Sequence, residues 1–196
     1  MRLFKKEKMG KWFDWRQVFP GGKEEKGRTS TERPAVFERM KALFEREKIS
    51  YRLIPHSEVY TAPELAASIH VPGREVAKVV VVRADKKYAM AVLPANRPLD
   101  LVRFSQLLGV RHASLATEGD MKKLFPDCEV GAAPPFGNFY GLEVYVEASL
   151  ASEKEIFFPA GSHHEVVQMR YADFERIARP KVEHIALEPL KSAIGL

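Results

Sequence analysis

The chain has 196 residues, 45% of them hydrophobic and 29% charged, and no apolar run approaches the ~18 residues that a membrane helix needs. A membrane span is therefore not expected. Cys128 is the only cysteine, which excludes an intrachain disulfide and a cysteine-based zinc set; with no apolar leader segment near the N-terminus, it points to the cytoplasm.

The formal net charge of +5 is carried by residues 1–30, where nine Lys/Arg face four Asp/Glu, and the remainder of the chain is neutral. This arm interleaves its cations with Phe4, Trp12, Phe13, Trp15 and Phe19, a mixture that can follow phosphates and stack on unpaired bases. Pro20-Gly21-Gly22 and the polar stretch after it read as a linker. Residues 1–31 are thus expected to form an arm and linker, 32–180 the folded domain, and 181–196 a tail without a structural signal.

Within the domain, Val36, Phe37, Met40, Leu43 and Phe44 have helical spacing behind Pro34. Tyr51–Ile54 reads as a short strand, and Thr61-Ala62-Pro63-Glu64 as a capping box that opens a helix to about Ile69. Val76-Ala77-Lys78-Val79-Val80-Val81-Val82 follows, an apolar strand interrupted by one lysine. A lone ammonium there either snorkels from a strand edge on its methylene stem or faces an anion. Asp85-Lys86-Lys87 then turns into Tyr88–Leu93, so the two runs form a hairpin.

Leu101–Leu108 before Gly109 and Thr117–Phe125 before Pro126 are further helices. Glu143–Glu147, Glu155–Phe158 and Glu165–Met169 are strands, and Tyr171–Ala178 is a closing helix. Sequential strands outnumber those of a βαβ repeat. The expected class is α/β in the α+β sense: a mixed, largely antiparallel sheet or distorted barrel with surrounding helices.

Two loops carry further candidate chemistry. Gly131-Ala132-Ala133-Pro134-Pro135-Phe136-Gly137 is stiff and small, so its amides could donate to an oxyanion or phosphate. Ala160-Gly161-Ser162-His163-His164 could bring a hydroxyl and one imidazole to the same rim, since adjacent residues of an extended chain point to opposite faces. His56 stands just before the capping-box helix. Neither an HxxxH pair nor a GxSxG elbow occurs, so no metal, no cofactor and no serine nucleophile are expected.

Taken in order, Pro55-His56 with Thr61–Glu64, the lysine of Val76-Ala77-Lys78, the Gly131–Gly137 loop and Ala160-Gly161-Ser162 before a last strand and helix resemble the YbaK/prolyl-tRNA-synthetase-associated family of aminoacyl-tRNA deacylases. The resemblance covers roughly residues 36–178. It implies a YbaK-like core and hydrolysis of mischarged tRNA in trans, with the tRNA acceptor end as partner and an aminoacyl-tRNA synthetase as a candidate second partner. It places the strand lysine at Lys78 and the GxxxP loop at Gly131–Pro135. Members that remove alanine carry Asn after the lysine, where this chain has Val79.

The resulting expectation assigns Lys78 and Gly131 to catalysis, and His56, Thr61, Ala132, Ala133, Pro134, Pro135, Gly161, Ser162 and His163 to substrate binding. Ala132 and Ala133 are read as leaving room for a small cargo, namely alanine, cysteine or serine. The alternative is a noncatalytic tRNA- or nucleotide-binding module using the same lysine and loop.

Overall fold

The computed structural model describes residues 33–188, so the expected arm and linker lie outside the described residues. Helix α1 (Ala35–Arg46) buries Val36, Phe37, Met40 and Phe44, the stripe that its sequence spacing predicts. Strand β1 (Tyr51–Pro55) follows, then α2 (Ala62–Ser68). The α2 capping box forms as expected: Glu64 N–H donates to the Thr61 hydroxyl at 3.3 Å and Thr61 N–H to the Glu64 carboxylate at 3.1 Å.

Strands β2 (Ala77–Ala84) and β3 (Lys87–Pro94) make the expected antiparallel hairpin, with Lys78 opposite Leu93. Next come α3 (Leu101–Leu107), β4 (Ala113–Leu115), α4 (Glu118–Leu124) and β5 (Glu143–Glu147). The chain continues through a single-turn α5 (Ala148–Ala151), β6 (Glu155–Pro159), β7 (Glu165–Arg170), α6 (Tyr171–Ala178) and β8 (Lys181–Glu183).

The strands form two sheets, one of three strands in the order β1-β7-β6 and one of five in the order β4-β2-β3-β5-β8. The α/β class and the mixed sheet stand; the sheets are open, and the barrel alternative does not. Pairing is antiparallel except at β3–β5 and β5–β8, which are parallel. Parallel pairing at that edge follows from the helix-bearing connections that return the chain to the same end of the sheet.

The large core lies between the sheets and is closed by α1 and α6: Val81, Met90, Val92 and Val146 face Ile156, Phe158, Val167 and Met169. A second cluster covers the opposite face of the five-stranded sheet, where Val82, Ala91 and Leu93 meet Phe104 of α3 and Ile185. Burial on both faces explains why the Lys78 strand reads as a continuous apolar run instead of alternating.

The expected tail is the principal correction. Residues 181–183 are strand β8, and Ile185 and Ala186 are buried. Glu147, 1% exposed at the end of β5, holds this segment: its Oε2 accepts Ile185 N–H and Ala186 N–H, each at 2.7 Å. Its Oε1 accepts Arg97 Nη1 at 3.1 Å, and Arg97 Nη2 donates to Leu187 O at 3.0 Å. A three-residue strand tied by one distant carboxylate leaves no periodic pattern to read.

Removing one member of a buried, hydrogen-bonded charge pair typically costs about 3–5 kcal/mol. Glu147→Ala is therefore expected to lose stability of that order in urea unfolding, because it strands two buried amides together with the Arg97 guanidinium.

Candidate active site

The outer edge of β2 pairs with β4 at Val82–Ala84, with Ala116 N–H donating to Val81 O at 2.9 Å, while Val76 bridges to Phe157 of β6. Between these ends, Ala77–Val81 form the floor of an open pocket enclosing about 1150 Å³ of empty space, its mouth included. The sheet edge thus splits here, and the split makes the site. Its walls come from three loops, from α2, and from α4 with β4.

Lys78 lies on this floor, half-buried, with Nζ donating to Ala95 O at 3.3 Å. Among the described residues, no carboxylate pairs with it. Loss of hydration is the cause of its depressed pKa, lowered from 10.5 to about 8. The ammonium remains mostly charged at neutral pH, poorly solvated and short of a counter-ion. The snorkelling alternative would place it in water, whereas the structure places it in the pocket.

Gly131 is exposed on the facing wall at φ +91°, a conformation that favours glycine. Ala132, Ala133, Pro134 and Pro135 do not line the pocket, contrary to expectation; all four are buried. The cause is Phe136, fully buried, whose ring lies 5.9 Å from that of Phe44 and 5.6 Å from those of Phe158 and Phe174. This anchor draws the loop into the core and leaves only its first glycine outside. The two alanines therefore do not set the space for a cargo.

Ser162 and His163 line the pocket, as do His56 and Thr61. His164 is exposed and is not among the lining residues, which resolves which of the adjacent histidines faces inward. Gly161 is buried outside the pocket at φ +96°; a Cβ there would collide with Val36 Cγ1 and lie 3.0 Å from Pro34 Cβ. Its role is the close approach of the loop to α1.

A hydrogen-bonded clasp joins the loops. Glu129 N–H donates to Gly161 O at 2.8 Å, Gly161 N–H to Ala132 O at 3.1 Å, and His163 N–H to the Glu129 carboxylate at 2.7 Å. The His163 ring contacts Val130 O through Nε2 at 3.0 Å; a carbonyl only accepts, so Nε2 carries the proton. By the same reasoning His56 Nδ1, 2.8 Å from Ser57 O, is protonated and Nε2 is left as an acceptor. Burial holds the His56 pKa below its usual value, against the opposing pull of the Ser57 carbonyl.

Sequence reading missed Tyr60, whose ring packs at a tilt against that of His163, 4.8 Å between centroids, and the lining residues Leu115, Ala116 and Met121. An aromatic residue directly before the Thr61 cap was the available signal for Tyr60. The others depend on β4, a three-residue strand that has no periodicity of its own. Cys128 is outside the pocket, and burial pushes its thiol up to about 12, so it is no nucleophile. Among the described residues no cluster of His, Cys, Asp and Glu is placed to hold a metal ion.

Fold and pocket together define an α+β domain with a desolvated cation on a sheet edge opposite a glycine loop. The chain belongs to the aminoacyl-tRNA editing domain family, whose model matches residues 56–177. The multifunctional Ser/Thr-tRNA deacylase ProXp-y of Escherichia coli (strain K12) is 27% identical over 150 residues, covering 74% of this chain and 89% of that protein. A crystal structure described as that of a proposed trans-editing enzyme for prolyl-tRNA synthetase superposes with a TM-score of 0.68 at 18% identity, covering 79% of this chain and 98% of the other. The hypothetical protein APE2540 superposes at 0.69, also at 18% identity, over 76% of this chain and 99% of its own. These two structures share the fold.

Since the Lys78 ammonium loses hydration without gaining a counter-ion, Lys78→Met is expected to unfold at the wild-type temperature or above it in thermal denaturation. A clear drop would mean that the charge already has a stabilising partner.

Proposed function

We propose that the chain is a trans-acting deacylase that hydrolyses the ester joining a small amino acid to the 3′ end of a mischarged tRNA. The observation that carries this reading is the half-buried, unpaired Lys78 ammonium on the floor of a pocket whose facing wall is Gly131. Membership of the editing-domain family and the deacylase relative support the same reaction.

An aminoacyl ester is intrinsically reactive, so no covalent nucleophile is required. The terminal nucleotide supplies the anion that Lys78 lacks through its phosphate, with the neutral ribose oxygens as further hydrogen-bond acceptors. That contact holds the ester beside Gly131, whose N–H donates to the carbonyl oxygen as it becomes an oxyanion. Water adds to the carbonyl carbon, the bond to the ribose oxygen breaks, and that oxygen takes a proton. Products are the free amino acid and the intact 3′ end of the tRNA.

Cargo size is limited by Val79, Ala62, Ala116 and Met121 instead of the two loop alanines. Among alanine, cysteine and serine, the hydroxylated cargo suits this site best. Ser162 and Thr61 are both hydroxyl-bearing residues of the pocket lining, and the curated relative acts on Ser- and Thr-tRNA. A site built to bond a hydroxyl discriminates strongly against the analogue without one.

A panel of tRNAs mischarged with serine, alanine, cysteine and phenylalanine, incubated with wild type and Lys78→Ala, tests the reading. Serine should be released fastest and phenylalanine not at all, and Lys78→Ala should lose about 10²–10³ in rate, as for removal of one preorganised electrostatic contact. Wild-type rates in folded Lys78→Ala would overturn the mechanism. Binding without turnover would instead leave the noncatalytic module.

The pH dependence has a definite sign. The ammonium is charged below its free-protein pKa of about 8, so acceleration over spontaneous hydrolysis, taken as kcat/KM, which reports the free enzyme, should be steady at neutral pH and decline as pH rises through 8. A ratio that climbs through this range would mean that neutral Lys78 is the active form.

A further inference from the structure

The rim of the pocket is electrically lopsided. On the side of α2 and the clasp it carries three exposed acids, Glu58, Glu64 and Glu129. On the other side, β2 runs from the floor at Val81 to Arg83, and its turn carries Lys86. Strand β4 is antiparallel to β2, pairing Ser114 with Arg83, and Asp85 N–H donates to His112 O at 3.0 Å. That bond brings Arg111 to the same end of the sheet. The chain leaving this end through β4 reaches Leu115 and Ala116, which line the pocket.

Arg83, Lys86 and Arg111 are exposed, and among the described residues none is in an ion pair. Three acids stand nearby, Asp85 in the turn and Glu118 and Asp120 on α4; Glu118 pairs with Lys122 at 3.0 Å, and Asp120 is occupied by its Thr117 cap and the Tyr88 hydroxyl at 2.8 Å and also acts on Arg83. Lys87, on the next strand, acts on Glu143 across the sheet. The local excess of positive charge stands out because residues 31–196 are neutral as a whole.

We infer that Arg83, Lys86 and Arg111 form the docking surface for the phosphates of the tRNA acceptor strand leading into the pocket. The inference rests on the deacylase reading and adds to it the path of the RNA. A 3′ end held at Lys78 must leave the pocket over some part of its rim. The acidic side repels a polyanion, and the β2–β4 side attracts it. Arg83 lies five residues beyond Lys78 on β2, about 16 Å along the strand at ~3.3 Å per residue and, by the alternation of side chains, on its other face, so an acceptor strand that reaches it crosses the outer edge of β2 upstream of the terminal nucleotide. Contacts of this kind fix register and affinity and carry no sequence information.

The test compares the 196-residue chain with its triple variant Arg83→Gln, Lys86→Gln, Arg111→Gln on two substrates, a seryl-tRNA and seryl-adenosine. Efficiency on the tRNA should fall at least tenfold near physiological salt. The slope of its logarithm against that of salt concentration should shrink by about 0.7–0.9 per lost phosphate contact. Turnover of seryl-adenosine, which has no upstream phosphates, should match wild type.

Equal efficiency and salt slope on the tRNA would overturn the docking surface while leaving the deacylase reading intact. An equal loss on both substrates would also overturn it, by placing the effect in the pocket. If wild type hydrolyses neither substrate, nor any other mischarged tRNA of the panel, the deacylase reading itself fails and the docking surface with it.

Discussion

An ammonium removed from water without a counter-ion is the constraint around which this site is organised. Lys78 sits on a strand whose neighbours are alanine and valine, and among the described residues its ammonium donates only to the Ala95 carbonyl. A neutral carbonyl restores little of the hydration that burial removes, which is why the ammonium holds its proton less tightly than a solvated lysine. The protein therefore carries an electrostatic deficit that an anionic ligand end can fill. Binding energy gained there is available to position the ester.

Such a site requires walls that do not relax. The five-stranded sheet is packed on both faces, so the floor cannot shift without disturbing two clusters. Opposite it, the clasp of Glu129, Ala132, Gly161 and His163 fastens one loop to the other, while Phe136 fastens the first loop to the core. His56 N–H, donating to His164 O at 2.9 Å, extends the β1–β7 ladder to the third loop. Residues distant in sequence are thereby held as one surface, with Gly131 and the inward-facing His163 side by side.

How much of this was legible in the sequence depends on whether the signal was local. The α1 stripe, the Thr61–Glu64 capping box, the β2–β3 hairpin and the Tyr171–Ala178 helix each carry their own periodicity or cap, and each formed as read. Strands β4 and β8 have three residues apiece and owe their existence to partners far along the chain, so nothing near them announces a strand. The same holds at the site. Lys78 was visible as a charge in an apolar run, and Gly131 as the start of a small-residue loop. The fate of Ala132–Pro135 was not visible, because it is decided by Phe136 entering a ring cluster assembled from α1, β6 and α6. Small residues before an aromatic anchor look alike whether they face a ligand or a core.

The state of Lys78 is the point on which the account turns, and it can be read directly by titrating the side chain by NMR in the free protein and with a nucleotide 5′-phosphate bound. A pKa of about 8 is expected in the free protein, rising when the phosphate supplies the missing counter-charge. A free-protein value at the ordinary 10.5, unmoved by the nucleotide, would contradict it.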